Sequence, residues 1–257
     1  MSDTYARIMR PADEPGKRRA ARSGTGRRSG TVPSLAAAPA SAKRASAEDQ
    51  ELPADRAASP AEATFTEAAA AFLAGRDAQV GPGFSFEDVP APKRLAPYAS
   101  AIAATVERDG ADVAWGRLVL LYDPDGQEGW DGAFRLVAYI RADVEPEIAA
   151  DPLLGEVGWS WLSEALDAHV PGYAVPSGTV TRVITEGFGA KRDELPLTGF
   201  ELRASWSPTG PGNRADDDDD LDSLDLSAHI SAWCDCLSAA AGLEPPGTRA
   251  LRPTGRG

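Results

Sequence analysis

Eight side chains able to do chemistry fall in one stretch of this chain, residues 116–169: Arg117, Trp130, Asp131, Arg135, Tyr139, Arg141, Glu145 and Trp159. Guanidinium groups match carboxylates and phosphates with a planar fork, and indole and phenol rings offer flat stacking surfaces. A carboxylate whose pKa is raised in a pocket can act as acid or base. If a hairpin and a helix pack these groups around one groove, with Glu147 and Trp161 beside them, the groove would bind a small polar ligand. The opposing reading makes the tryptophans core residues and pairs each arginine with a neighbouring acid. The spacing leaves both open and nominates no catalytic residue.

Other motifs carry less. His169, His229, Cys234 and Cys236 number four, as a zinc site needs. Cys-Asp-Cys on a helix turns the two thiols about 200° apart, and the histidines have no paired spacing, so no metal site is expected. Gly158-Trp159-Ser160-Trp161-Leu162 opens like a nucleophile elbow, but Leu stands where the second glycine belongs and the segment reads as helix. Asp123, Asp125 and Glu128 resemble the start of a calcium loop without a glutamate in the twelfth position, and turn stabilisation explains them better. No glycine-rich nucleotide loop is present and no cofactor is expected.

The elements that must position these residues can be read from pattern. Ser59-Pro60-Ala61-Glu62 is a capping box, followed by Phe65, Ala69, Phe72 and Leu73 at helical spacing, with Gly75 as the expected stop. Phe84 and Phe86 alternate with polar residues as a short edge strand would, and residues 98–106 alternate into a strand ending at a turn over 107–110. Residues 115–122 and 133–141 read as strands joined by Asp123-Pro124-Asp125-Gly126, which has type I turn chemistry. In the second, Phe134, Leu136, Ala138 and Ile140 form one face. Arg135, Val137, Tyr139 and Arg141 form the other, expected to be wet. Asp151-Pro152 is expected to open a helix whose buried band includes Leu154, Val157 and Trp161, beside Trp159, Leu162 and Leu166. Strands follow at 179–186 and 200–206, then a helix over 223–241 with Leu226, Ile230, Trp233, Leu237 and Ala241 as its stripe. The order α-β-β-β-α-β-β-α predicts an α+β domain: an antiparallel sheet of about five strands with helices on one face.

Charge divides the chain. Residues 1–60 carry a net +4 and residues 61–257 a net −17, against −13 overall. Residues 1–58, rich in Ala, Arg, Ser and Pro, predict a disordered basic tail; 59–245 a single domain with an acidic flexible loop at 207–222; and 246–257 a second tail. The basic clusters at 17–19 and 27–28 lack aromatic or helical context, and the body is acidic, so a nucleic-acid partner is not expected. The five aspartates at 216–220 read as a solvated linker. The small-residue run at 31–42 is too proline-broken for an export signal, no run of about 18 apolar residues exists to span a membrane, and two close cysteines imply no disulfide framework. A cytoplasmic location is expected.

Residues 116–142 (GRLVLLYDPDGQEGWDGAFRLVAYIRA) and 151–166 (DPLLGEVGWSWLSEAL), with RLAPY at 94–98 and AWCD at 232–235, resemble an actinobacterial family known as domain of unknown function three thousand. Several long segments match in order over about residues 60–245, and the scarcity of lysine beside abundant Ala, Arg, Gly and Asp suits a high-GC actinobacterial origin. The resemblance implies no activity, cofactor or catalytic residue. The expected function is therefore a non-catalytic binding or regulatory protein of the cytoplasm, acting on an unknown protein or small-molecule partner. An enzyme or ligand binder using the Trp, carboxylate and Arg groove is the alternative. Oligomeric state is not legible in the sequence.

Overall fold

A computed structural model describes residues 58–79, 83–211 and 221–243. The tail expected over 1–58, all but its last residue, lies outside the described residues. So do the aspartate run at 216–220 and the tail at 246–257.

Helix α1 (Pro60–Ala78) starts as its residues require: Ser59 Oγ accepts the Glu62 N–H at 3.2 Å and Pro60 fills the first turn. It does not stop at Gly75. That glycine instead allows close approach to the last helix, because a Cβ there would stand 2.7 Å from the Ser227 carbonyl oxygen.

Six strands follow: β1 (Phe84–Asp88), β2 (Tyr98–Arg108), β3 (Ala111–Tyr122), β4 (Phe134–Asp143), β5 (Tyr173–Thr185) and β6 (Leu197–Pro208). They form one antiparallel sheet in the order β1-β2-β3-β4-β6-β5. β1 to β4 are a meander of neighbours. The β2–β3 turn is the two-residue Asp109-Gly110 at φ 55° and 79°, a twist that suits paired strands. The chain then crosses through α2 (Pro146–Ala150) and α3 (Leu154–His169) to the far edge, and β6 returns between β4 and β5. The fold is α+β as the pattern predicts, with the short Phe84–Phe86 segment confirmed as an edge strand.

The last helical segment breaks in two, α4 (Leu221–Leu224) and α5 (Leu226–Ala240). Asp225 sits between them at φ 39° and caps the second with its carboxylate on the Ala228 N–H. The expected stripe, Leu226, Ile230, Trp233, Leu237 and Ala241, is buried throughout. α5 lies across β3, β4 and β6, flanked by α1 and α3. Trp233 fits there because Gly116 of β3 has no side chain: a Cβ would stand 2.7 Å from Trp233 Cζ2.

Two expectations about the α3 region change. Asp151-Pro152 does not begin the helix, which starts at Leu154 after a turn in which the Asp151 carboxylate accepts the Leu153 N–H at 2.8 Å. Val157 is 42% exposed, because the buried arc runs through Leu154, Gly158, Leu162, Ala165 and Leu166. Gly158 meets the Phe200 ring directly, and a contact made by a missing side chain leaves no mark in an apolar pattern. The five-residue α2 was not expected: it opens on Pro146 with Glu147 in its first turn, but Glu145 makes no side-chain cap and the helix is a little over one turn long. Ser207 and Pro208, assigned to the acidic loop, belong to β6.

The sheet's second face is only half wet. Residues 89–97 fold back over it, so Val89, Ala91, Leu95 and Ala96 pack with Trp130 on Ala101, Val119, Leu121 and Val137. Arg117 donates to the Pro90 carbonyl and Gln127 Nε2 to that of Leu95, holding this strap down. The uncovered half is where the sheet presents its polar and aromatic residues.

Candidate functional site

Two rows of side chains cross the uncovered half, and their order follows from the strand register. Arg117 of β3 lies beside Tyr139 of β4, which lies beside Arg203 of β6. One step along, Trp115 neighbours Arg141 and Arg141 neighbours Glu201. Side chains two apart on a strand share a face, so the rows form one surface.

The surface is tightly knit. The Trp115 and Tyr139 rings meet edge to face with centroids 5.8 Å apart. The Arg203 guanidinium sits 5.2 Å from the centre of the Tyr139 ring, and its Nη2 donates to Glu201 Oε2 at 2.8 Å. Both Arg203 and Glu201 are about a quarter exposed, so this pair is better sheltered than an ordinary surface bridge. Burial pushes the Tyr139 phenol up to about 12, and the Glu201 carboxylate pushes the same way. Tyr139 therefore stays protonated and serves as a donor and stacking plate rather than a base. Burial lowers the Arg117 pKa, a mark of partial desolvation. The Nε atoms of Arg117 and Arg203, on either side of Tyr139, are buried and have no hydrogen-bond partner among the described residues. Unpartnered buried donors are costly, and an acceptor brought by a partner would satisfy them.

Of the eight residues singled out in the sequence, Arg117, Tyr139 and Arg141 come together here. Trp130 lies on the same side of the sheet but packs into the cluster under the strap. It also borders an open recess of about 670 Å³ lined with Thr64, Tyr122, Asp125 and Gln127, which contains none of the other seven. Asp131 donates its backbone N–H to Ser207 Oγ at 2.9 Å. Arg135 keeps the expected face, opposite Leu121, but is not wet there: it is 4% exposed, with Nη2 donating to Ser205 Oγ at 2.8 Å and to the Val175 carbonyl at 3.0 Å. Glu145 is exposed ahead of α2 and makes no side-chain cap. Trp159 stands on the opposite, helical side, against Gly178 of β5, where a Cβ would be 2.7 Å from its ring. A single groove holding Trp130, Arg135, Glu145 and Trp159 is therefore not formed.

Trp115, Glu201 and Arg203 were missed. Trp115 was legible, since it shares the parity of Arg117 on one strand. Glu201 and Arg203 were not, because their place depends on β6 pairing with β4, more than fifty residues away in sequence.

The remaining candidates are structural. Asp123 accepts from the Asp125 N–H and from Gln127 Nε2, so its oxygens serve the turn. His169 Nε2 lies 2.6 Å from Asp235, while His229 is buried against Trp206. Cys234 and Cys236 are buried and unbridged. Among the described residues, no three His, Cys, Asp or Glu side chains cluster closely enough to hold a metal ion, and no helix is long and apolar enough to cross a membrane.

Fold and surface together define an α+β protein with a helical layer on one side of its sheet and a half-open aromatic and arginine-bearing face on the other. The chain belongs to the family described as Protein of unknown function (DUF3000), whose model matches residues 61–249. No curated protein and no solved structure matches it.

Proposed function

We propose that this chain is a non-catalytic binding protein that recognises a protein partner through the open half of its sheet. The observation that carries this reading is the flat cluster of Trp115, Tyr139 and Arg203, fixed on three adjacent strands and flanked by Arg117, Arg141 and Glu201. Trp, Tyr and Arg are the residue types that dominate binding hot spots, and strands hold them with little entropy left to lose. The two orphaned Nε donors call for acceptors such as backbone carbonyls or carboxylates. A net charge of −13 speaks against nucleic-acid backbone and anionic lipid as the partner. Two unbridged, buried thiols suit the cytoplasm as its place of work.

The test compares affinity captures by the tagged native chain and by Trp115→Ala/Arg203→Ala, with proteins and metabolites analysed in both. A protein retained by the native chain and lost from the variant is expected. A retained metabolite that the variant loses, or protein capture indifferent to the two substitutions, overturns the reading.

A further inference from the structure

Each large apolar side chain left exposed among the described residues falls in one of three segments, 148–157, 175–184 and 188–197. Except for Val175, at the opposite end of β5, these border the β5–β6 end of the sheet and the α2–α3 segment beside it. α2 packs against β5 and β6, and Arg182 of β5 donates to the Asp151 carbonyl at 2.9 Å. Phe188 is 79% exposed, Leu195 88% and Ile184 53%, all at the β5–β6 end of the sheet. Clustered exposure of this kind marks an interface, whereas scattered single residues do not.

The same corner holds the sheet's open edge. β5 is the outermost strand and pairs only with β6 among the described residues. Its first part is guarded by Val175 at φ 43°, Pro176 and a register shift, devices that block strand addition. From Ser177 to Thr185 the strand is regular, β-branched and unguarded, with Arg182 its one charge.

The geometry points to a second copy of this chain as the occupant, joined β5 to β5 antiparallel about a two-fold axis at Ile184. The sequence around that axis is self-complementary. Within β5 Ile184 meets itself and Val183 meets Thr185; continuing the strand past its end at Thr185 would set Arg182 opposite Glu186 twice over and Val180 opposite Phe188. Reciprocal pairing of this sort is what a two-fold interface demands. Val180, Arg182 and Ile184 sit opposite Leu202, Phe200 and Thr198, on the helical side of the sheet. Dimerisation would therefore cover Ile184 on the side where Ile148 and Leu153 are exposed, and merge two sheets into one of twelve strands. The proposal is independent of the binding reading above, which uses β3, β4 and β6 on the opposite face.

Sedimentation velocity on the full chain between about 1 and 100 μM tests it, within the range typical of specific complexes. A species of twice the 26.9 kDa chain mass is expected. Ile184→Lys, which sets two ammonium groups face to face at an already half-exposed position, is expected to give a monomer with an unchanged circular dichroism spectrum. Ile184→Cys is expected to form an intermolecular disulfide on mild oxidation. Thr179→Cys is not, since its two copies would stand roughly 30 Å apart at strand spacing. A native chain that stays monomeric at 100 μM, a dimer indifferent to Ile184→Lys, or equal cross-linking at 179 and 184 overturns the proposal.

Discussion

Trp206 of β6 donates its indole N–H to Nδ1 of His229 on α5 at 3.1 Å, inside the layer between sheet and helix where both residues are wholly buried. The bond fixes the tautomer: Nδ1 accepts, so the ring is neutral and carries its proton on Nε2. Burial pushes the His229 pKa down to about 3, against a weaker opposing pull from Asp225 and the Leu224 carbonyl.

Linkage then makes stability depend on pH. An unfolded histidine takes a proton near pH 6.5 while folded His229 does not, so the unfolded state binds more protons between about 6.5 and 3. The His229 contribution is whole above pH 6.5 and is expected to fall by up to about 1.4 kcal/mol per pH unit on acidification through that window. Urea titrations from pH 7 to 4 should show this slope, and imidazole nitrogen shifts should stay those of a neutral ring at pH 5. A His229 resonance titrating near 6.5 in the folded protein would contradict it.

Gly155 and Gly158 lie one turn apart on α3 and should respond oppositely to alanine. Nothing stands within 4 Å of a Cβ at Gly155, so Gly155→Ala is expected to stabilise by up to about 1 kcal/mol through helix propensity. A Cβ at Gly158 would enter the Phe200 ring, and overpacking of this kind costs about 1–3 kcal/mol. Denaturation midpoints of the two variants decide it.

Arg135 is expected to act on stability rather than on partner binding. Arg135→Leu removes donors from the Ser205 hydroxyl and from the Val175 carbonyl, and should cost about 1–3 kcal/mol. Val175 is a β-branched residue held at φ 43°, so Val175→Gly should stabilise by about 0.5–1 kcal/mol once glycine's extra chain entropy is set against the relieved strain. Thermal melts of both variants provide the check, and an Arg135→Leu chain as stable as the native one would show that these buried bonds add no net stability.

The two thiols should be inert while the chain is folded. Burial, with Asp235 adding to it, pushes Cys236 up to about 12 and Cys234 upward as well, so almost no thiolate exists at pH 8. Reaction with a chromogenic disulfide is expected to be slow in buffer and to reach two equivalents per chain only in denaturant. Fast titration of either thiol in the native state would show that α5 opens.

Much of the architecture was readable because local periodicity carries it. The α5 stripe from Leu226 to Ala241, the two faces of β4 and the Ser59 cap each follow from residues a few positions apart. The candidate surface was read only in part. Arg117, Tyr139 and Arg141 follow from strand parity; Arg135 shares that parity but lies in the covered half of the same face, and Trp159, near them only in sequence, stands on the helical side.

What the sequence alone determined is the class of fold, the strand faces and the membership of its family, because each rests on short-range alternation or on ordered segments. Only tertiary structure decided which face is covered and what stands beside what. Pairing β6 with β4 brings Glu201 and Arg203 to Tyr139, folding 89–97 over the sheet dries half of it, and Arg135 disappears beneath the serines of β5 and β6. Those contacts join residues far apart along the chain, and they form because burial rewards the best-packed arrangement of the whole, which no local window encodes.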